Sequence, residues 1–199
     1  MKIEKRSERP PILVTRRPPN LTSNQATRRL VTGNNHTTHT MSHSLHICFG
    51  TMTGNAETLA TEAHDRAESQ AFTSNLLNLV EVKAIDLTSM AEALFIVSTW
   101  GDGEPPDDAV DFWYDLETAK LDLSGLAYAV FGLGDKDYPE FNGFARLLDE
   151  RLVALGAKRL IARAEADLDF GDTFAAWSEQ IFSSPRSSPR ICDHKSLTT

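Results

Sequence analysis

The strongest constraint on the fold is an alternation of continuously apolar segments with amphipathic ones between residues 45 and 182. Segments such as residues 94–97 (LFIV) and 128–131 (YAVF) are typical of strands that are buried on both faces. The segments between them place apolar side chains at helical spacing. Because strands that alternate with helices form a parallel sheet covered on both sides, the sequence predicts an α/β fold. About 140 residues are enough for one such domain.

The alternation predicts strands at residues 45–49, 73–79, 93–98, 127–132 and 159–163. It predicts helices over residues 58–69, around 87–92, from Asp108 onward, from Phe141 to Leu155 and around 174–181. Gly156 follows the fourth of these helices and is expected to end it, as a glycine after the last helical turn commonly does.

The two ends of the chain have a different composition. Residues 1–40 carry eight Lys or Arg and two Glu, which gives a net charge of +6. Because the whole chain has a net charge of −8, residues 41–199 carry −14. Residues 1–43 are therefore predicted to be a disordered basic extension upstream of a true start at Met41, with a targeting peptide and a nucleic-acid-binding arm as alternatives. Residues 184–199 are predicted to be a disordered tail, which leaves 44–183 as the domain.

Cysteine and histidine usage restricts the compartment and the chemistry. The two cysteines, Cys48 and Cys192, form no Cys-x-x-Cys motif, which fits a reducing cytoplasm. The six histidines have no partners at metal-ligand spacing, so no metal is expected. No segment is long and apolar enough to span a membrane. We expect a cytoplasmic monomer with no nucleic-acid or membrane partner.

Residues 50–57 (GTMTGNAE) join the first predicted strand to the first helix and have the layout of a phosphate site. Backbone amides at such a turn converge on one point, and the helix dipole adds positive charge there. The turn lacks the lysine of an NTP-binding loop and the Gly-x-Gly-x-x-Gly of a dinucleotide site. Its neutral donors suit one terminal phosphate, such as that of FMN, and an ordinary strand-to-helix turn is the alternative.

Two further glycine-rich loops, residues 98–108 and 132–142, follow the third and fourth predicted strands. The loops after parallel strands meet at one edge of the sheet, where ligands bind. Each of the two loops carries one aromatic residue, Trp100 or Tyr138. A planar ligand between these aromatics would bury both of its faces. The alternative is that Trp100 and Tyr138 only cover the loops.

Together the three motifs resemble the FMN-binding domain of the flavodoxin-like fold. The resemblance is greatest to the version found in diflavin reductases, which include the sulfite reductase flavoprotein and the NADPH–cytochrome reductases. The motifs are residues 51–57 (TMTGNAE), 98–107 (STWGDGEPPD) and 131–135 (FGLGD) with Tyr138, Phe141 and Asn142. The resemblance covers residues 45–182. It implies a three-layer sandwich with a five-stranded parallel sheet in the order 2-1-3-4-5.

The resemblance also implies which residues bind FMN. The residues that would hold the phosphate are Thr51, Met52, Thr53, Gly54, Asn55 and Ala56. Those that would line one side of the isoalloxazine are Ser98, Thr99, Trp100, Gly101 and Gly103. Those that would line the other side are Leu133, Gly134, Asp135, Tyr138, Phe141 and Asn142. Asp167 lies where the family has an acid near the flavin, and Trp100 replaces the Tyr, Gln or His that is more usual at its position.

The function implied by the resemblance is electron transfer by FMN, from an NAD(P)H-dependent flavin or ferredoxin reductase to an acceptor enzyme. No catalytic side chain is required, because the flavin carries the chemistry. The FAD and NADPH domains of diflavin reductases do not follow in this sequence, so a free-standing carrier is expected. Acids crowd the predicted ligand loops and predict an acceptor with a basic docking face: Asp102, Glu104, Asp107, Asp108, Asp135, Asp137 and Glu140.

The same fold can serve three other functions. A flavoenzyme that uses NAD(P)H directly, such as a quinone reductase, would need a nicotinamide domain for which this chain has no room. A phospho-acceptor receiver needs an aspartate at the end of the third strand, where this chain has Ser98 and Thr99. An FMN-free or non-redox interaction module stays open, and an absorption spectrum would distinguish it.

Overall fold

The computed structural model describes residues 44–183, so the extension and the tail that were predicted to be disordered lie outside the described residues. The strands are β1 (Ser44–Gly50), β2 (Thr73–Asn78), β3 (Glu92–Ser98), β4 (Ala127–Leu133), β5 (Lys158–Arg159) and β6 (Ala164–Ala166). The helices are α1 (Asn55–Ser69), α2 (Val110–Thr118), α3 (Gly143–Ala154) and α4 (Gly171–Ser183). All strand pairs are parallel, in the order β2-β1-β3-β4-β5 with β6 also beside β4. The predicted fold class and strand order are confirmed.

Two apolar cores lie on the two faces of this sheet. Successive residues of a strand point to opposite faces, so Leu94 and Ile96 pack beneath α1 and α4, whereas Phe95 and Val97 pack beneath α2 and α3. Every one of these four side chains is fully buried. Burial on both faces explains why the central strands are continuously apolar in sequence.

The fifth strand differs from the prediction. It was expected at residues 159–163, but β5 ends at Arg159 and the ladder with β4 resumes only at Ala164. Leu160 N still donates to the carbonyl of Tyr128 at 2.7 Å, and the ladder is then interrupted until Ala164. Within this interruption lies Arg163, whose Nη1 is 2.6 Å from Asp149 Oδ2. Leu160 and Ile161 pack against the core on the α1 and α4 side. The prediction of a continuous strand there is wrong.

Several helix boundaries also differ from the expected ones. The helical segment predicted at 87–92 is a 3₁₀ helix at Ala84–Ser89, and Glu92 already belongs to β3. Phe141 precedes α3, because Asn142 adopts a left-handed conformation with φ 55° and the helix begins only at Gly143. Gly156, with φ 92°, follows the end of α3 as predicted.

Candidate functional site

A cleft of about 390 Å³ opens at the carboxyl edge of the sheet, where the loops after β1, β3, β4 and β6 meet. Fourteen of the eighteen predicted site residues line it: Met52, Thr53, Asn55, Ser98, Thr99, Trp100, Gly101, Leu133, Gly134, Asp135, Tyr138, Phe141, Asn142 and Asp167. The other four do not line the cleft: Thr51, Gly54 and Gly103 lie in the same loops, and Ala56 lies in the first turn of α1. The fold therefore brings the three motifs and Asp167 to one place.

The turn between β1 and α1 presents backbone donors. Gly54, with φ 86°, is the N-cap of α1, and its amide donates to Thr51 Oγ1 at 2.9 Å. Within residues 44–183, no protein group accepts a hydrogen bond from the amides of Met52, Thr53, Asn55 and Ala56. Four free amides at a helix N-terminus have the geometry and the partial positive charge that bind a phosphate.

The amide of Thr51 has a different orientation from those four. It donates to Asp108 Oδ1 at 2.8 Å, and Asn78 Nδ2 donates to Asp108 Oδ2 at 3.1 Å. Burial raises the pKa of the Asp108 carboxyl, and the two hydrogen bonds oppose that effect. The amide of Thr51 therefore already has a hydrogen-bond acceptor within the protein, the carboxylate of Asp108.

The second wall of the cleft is a tight turn after β3. Trp100 and Glu104 exchange two backbone hydrogen bonds of 2.9 and 2.8 Å, and the positive φ angles of Gly101 (50°) and Gly103 (97°) close the turn between them. Gly103 faces away from the cleft toward the start of α3, where a Cβ on Gly143 would lie 2.6 Å from its Cα. The indole of Trp100 is 51% exposed at the rim of the cleft.

The third wall is the loop after β4. Asp135 closes a turn by accepting from the amide of Asp137 at its carboxylate and from that of Tyr138 at its carbonyl. Tyr138 is 55% exposed and, like Trp100, lines the cleft. The carbonyl of Ala166 in β6 accepts from Gly134 N at 3.0 Å and from Asn142 Nδ2 at 3.2 Å. Strand β6 thus holds this loop at both ends.

Asp167 fixes the loop in a further way. Its Oδ1 accepts from the amides of Leu168 (2.9 Å) and Lys136 (3.2 Å), and these bonds hold the pKa of Asp167 below its ordinary value. Three residues that line the cleft were missed by sequence reasoning: Glu140, Leu168 and Phe170. Leu168 is 71% exposed, and an apolar side chain next to Asp167 was the signal available for it.

Two side-chain atoms of residues that line the cleft are buried without a hydrogen-bond partner among the described residues: Thr99 Oγ1, and Asn142 Oδ1, which is packed against Gly132. Such orphans are uncommon in folded proteins. The unpartnered Thr99 hydroxyl, four free amides and two exposed aromatics fit a planar ligand that carries hydrogen-bonding groups on its ring and one phosphate. FMN has these features. Residues 44–183 contain no cluster of potential metal ligands and no helix able to cross a membrane.

The fold and the cleft define the class: an α/β domain of flavodoxin-like architecture, with its ligand loops at the carboxyl edge of the sheet. The model of the flavodoxin family matches residues 47–177, and the chain belongs to this family. Domains of the family bind FMN, so the predicted cofactor is confirmed.

Curated relatives include the NADPH–cytochrome P450 reductase of Oryctolagus cuniculus, 34% identical over 74% of this chain. The sulfite reductase [NADPH] flavoprotein alpha-component of Neisseria meningitidis serogroup C is 37% identical over 69% of it. The chain spans 22% and 23% of the length of these relatives. Among solved structures, the flavodoxin of Streptococcus pneumoniae TIGR4 aligns with a TM-score of 0.62 and 29% identity, covering 70% of this chain and 98% of that one.

Proposed function

We propose that this protein acts as an FMN-dependent electron carrier. It takes electrons from an NAD(P)H-dependent flavin or ferredoxin reductase and passes them to an acceptor enzyme. The observation that carries the proposal is the cleft itself, which combines free phosphate-binding amides with two exposed aromatics on opposite loops. Two of the relatives are named as reductases that use NADPH, which supports a nicotinamide-dependent donor.

Bound FMN supplies the redox chemistry, and the protein supplies binding, orientation and electrostatics. The amides of Met52, Thr53, Asn55 and Ala56 hold the phosphate. Trp100 and Tyr138 cover the ring from the two sides and exclude water from its faces. Thr99 Oγ1 gains a hydrogen-bond partner that the protein alone does not give it.

The charge around the cleft supports a basic redox partner. Asp102, Glu104 and Asp137 are exposed on the two loops that carry the aromatics, whereas Glu140 is paired with Arg146 at 2.7 Å. Exposed acids steer a basic partner and raise the association rate in a salt-dependent way. A small, transient interface of this kind is usual for redox proteins. The protein is proposed to act in the cytoplasm as a monomer.

The deciding experiment is the visible absorption spectrum of the purified full chain, followed by anaerobic reduction. A flavin spectrum, with FMN released on denaturation and stepwise bleaching on reduction, supports the carrier. A colourless protein that also refuses added FMN contradicts the proposal and favours a non-redox interaction module. Reduction by a donor reductase should slow as salt rises, and a salt-independent rate would contradict the acidic docking face.

A further inference from the structure

The phosphate turn rests on one carboxylate that lies outside the cleft. We propose that Asp108 is a positioning residue, which holds the turn of residues 51–54 in its phosphate-binding shape and thereby sets the affinity for FMN over flavins that lack a phosphate. This inference rests on the proposed function, because it requires that FMN binds at this turn.

The carboxylate of Asp108 lies beneath the turn of residues 51–54 and is hydrogen-bonded to it. Asp108 belongs to the 3₁₀ segment Asp107–Ala109, which is 57 residues from Thr51 in sequence. Its Oδ1 accepts from Thr51 N at 2.8 Å, and the hydroxyl of Thr51 in turn accepts from Gly54 N at 2.9 Å. Both ends of the turn are therefore tied, through Thr51, to a single carboxylate.

The side chain at position 108 needs two acceptor atoms, because two donors point at it. Asn78 Oδ1 accepts from Val80 N at 2.9 Å, which orients the Asn78 amide so that its NH₂ group donates to Asp108 Oδ2. Thr51 N donates to the other oxygen. A carboxylate offers acceptors on both sides, whereas an amide side chain would oppose one of these two donors with a donor of its own.

The segment that contains Asp108 also packs closely against the end of β1 and the turn. A Cβ on Gly50 would lie 3.0 Å from Ala109 Cβ and 3.4 Å from Pro106 Cγ. The amide of Asp107 also donates to Met52 Sδ at 3.3 Å. Residues 106–109 thus form the floor of the turn, and a change in the Asp108 contacts is transmitted to the amides above it.

Charge and hydrogen bonding make opposite predictions for this residue. A negative carboxylate near a phosphate repels it, so loss of the charge alone would strengthen FMN binding. Loss of the two-sided acceptor would release the turn and weaken FMN binding. The sign of the change therefore separates a positioning role from an electrostatic one.

The test compares the full-chain apoprotein with Asp108→Asn, Asn78→Asp and the double variant D108N/N78D. The double variant keeps the net charge of the unaltered protein and exchanges the amide and the carboxylate, so every hydrogen bond from Thr51 to Val80 can form again. FMN and riboflavin are titrated by flavin fluorescence, and thermal unfolding is recorded for each protein. Asp107→Asn is the matched control, because it removes one charge from the neighbouring position, whose carboxylate has no hydrogen bond to another residue of 44–183.

D108N is expected to bind FMN about tenfold more weakly, with riboflavin affinity unchanged within about twofold. The double variant is expected to recover FMN affinity to within about threefold of the unaltered protein. Equal or tighter FMN binding by D108N, equal losses for FMN and riboflavin, or a double variant that folds without recovering would each overturn the inference. If D108N does not fold, the FMN-to-riboflavin ratio of the double variant decides alone. Failure of the unaltered protein to bind either flavin would overturn the proposed function itself.

Discussion

The two polar regions of this domain, the Asp149 cluster in its interior and the cleft at its edge, treat hydrogen-bonding groups in opposite ways. Asp149 is 3% exposed, and its carboxylate accepts four hydrogen bonds of 2.6–3.0 Å, one from Tyr128, two from Arg159 and one from Arg163. Four acceptor sites are all that a carboxylate has. In the cleft, by contrast, amides and a buried hydroxyl lack protein partners.

The difference shows where the protein stabilises itself and where it binds another molecule. Burial alone would raise the pKa of Asp149, but the bonds from Arg159 and Tyr128 outweigh it and leave that pKa lowered. The carboxylate of Asp149 therefore stabilises the fold in its charged form. The unpaired groups of the cleft make no comparable contribution to the stability of the protein alone, and they gain hydrogen-bond partners when a ligand binds.

The largest expected effect separates fold from site. Asp149→Asn should lower the free energy of unfolding by about 3 kcal/mol, because it leaves Arg159 and Arg163 without their buried anion. Urea unfolding measures this, and Glu150→Gln, an exposed acid on the same helix, is the control with little change. FMN affinity of the folded variant should stay within about twofold. A decrease in the free energy of unfolding of less than about 1 kcal/mol would contradict the stabilising role of the Asp149 cluster.

The second effect lies in the phosphate turn. Replacement of both Thr51 and Thr53 by Ala should weaken FMN binding at least about tenfold, because hydroxyl groups are lost beside the helix N-terminus. Riboflavin affinity should change little, because riboflavin has no phosphate. Flavin titration of the apoprotein measures the change. Thr61→Ala, which alters an exposed hydroxyl further along α1, is the matched control. Unchanged FMN affinity in the double variant would contradict the phosphate assignment.

The third effect concerns the ring rather than the phosphate. Trp100→Ala should weaken FMN and riboflavin alike by about fivefold, because stacked aromatic contact contributes on this scale. Tyr114→Ala removes an equally exposed aromatic from α2, outside the cleft, and serves as the control. The same titrations apply. If only FMN binding fell, Trp100 would act on the phosphate turn and not on the ring.

The smallest effect is a pH dependence with a defined sign. Because the pKa of Asp149 is lower in the folded protein than its unfolded value of about 4, its contribution is present above that pH and is lost as the pH falls through the folded pKa. The stability difference between the unaltered protein and D149N should therefore shrink by roughly 1 kcal/mol or less from pH 7 to pH 3. A difference that grows toward acid pH would contradict the assignment.

The sequence pattern was sufficient to predict a parallel α/β sheet and the three ligand loops, and the resemblance of those loops to a known family supplied the strand order. Periodicity marks the elements, and the meeting of parallel strand ends at one edge places Trp100 and Tyr138 together. Contacts between distant positions could not be predicted. Nothing near Arg163 in the sequence shows that it pairs with Asp149, a contact that lies where the fifth strand is interrupted. In the same way, Asp108 was predicted only as one surface acid among seven, whereas it supports the turn at Thr51.

The interruption of the fifth strand also bears on aggregation. β5 and β6 form one outer border of the sheet. They are strands of two and three residues, separated by an interruption in the pairing with β4. A long uninterrupted border strand offers a row of unpaired amides and carbonyls to which another chain can add a strand. Here the border consists of two short pieces in place of such a row. A short, interrupted border strand is one of the ways in which proteins limit edge-to-edge association.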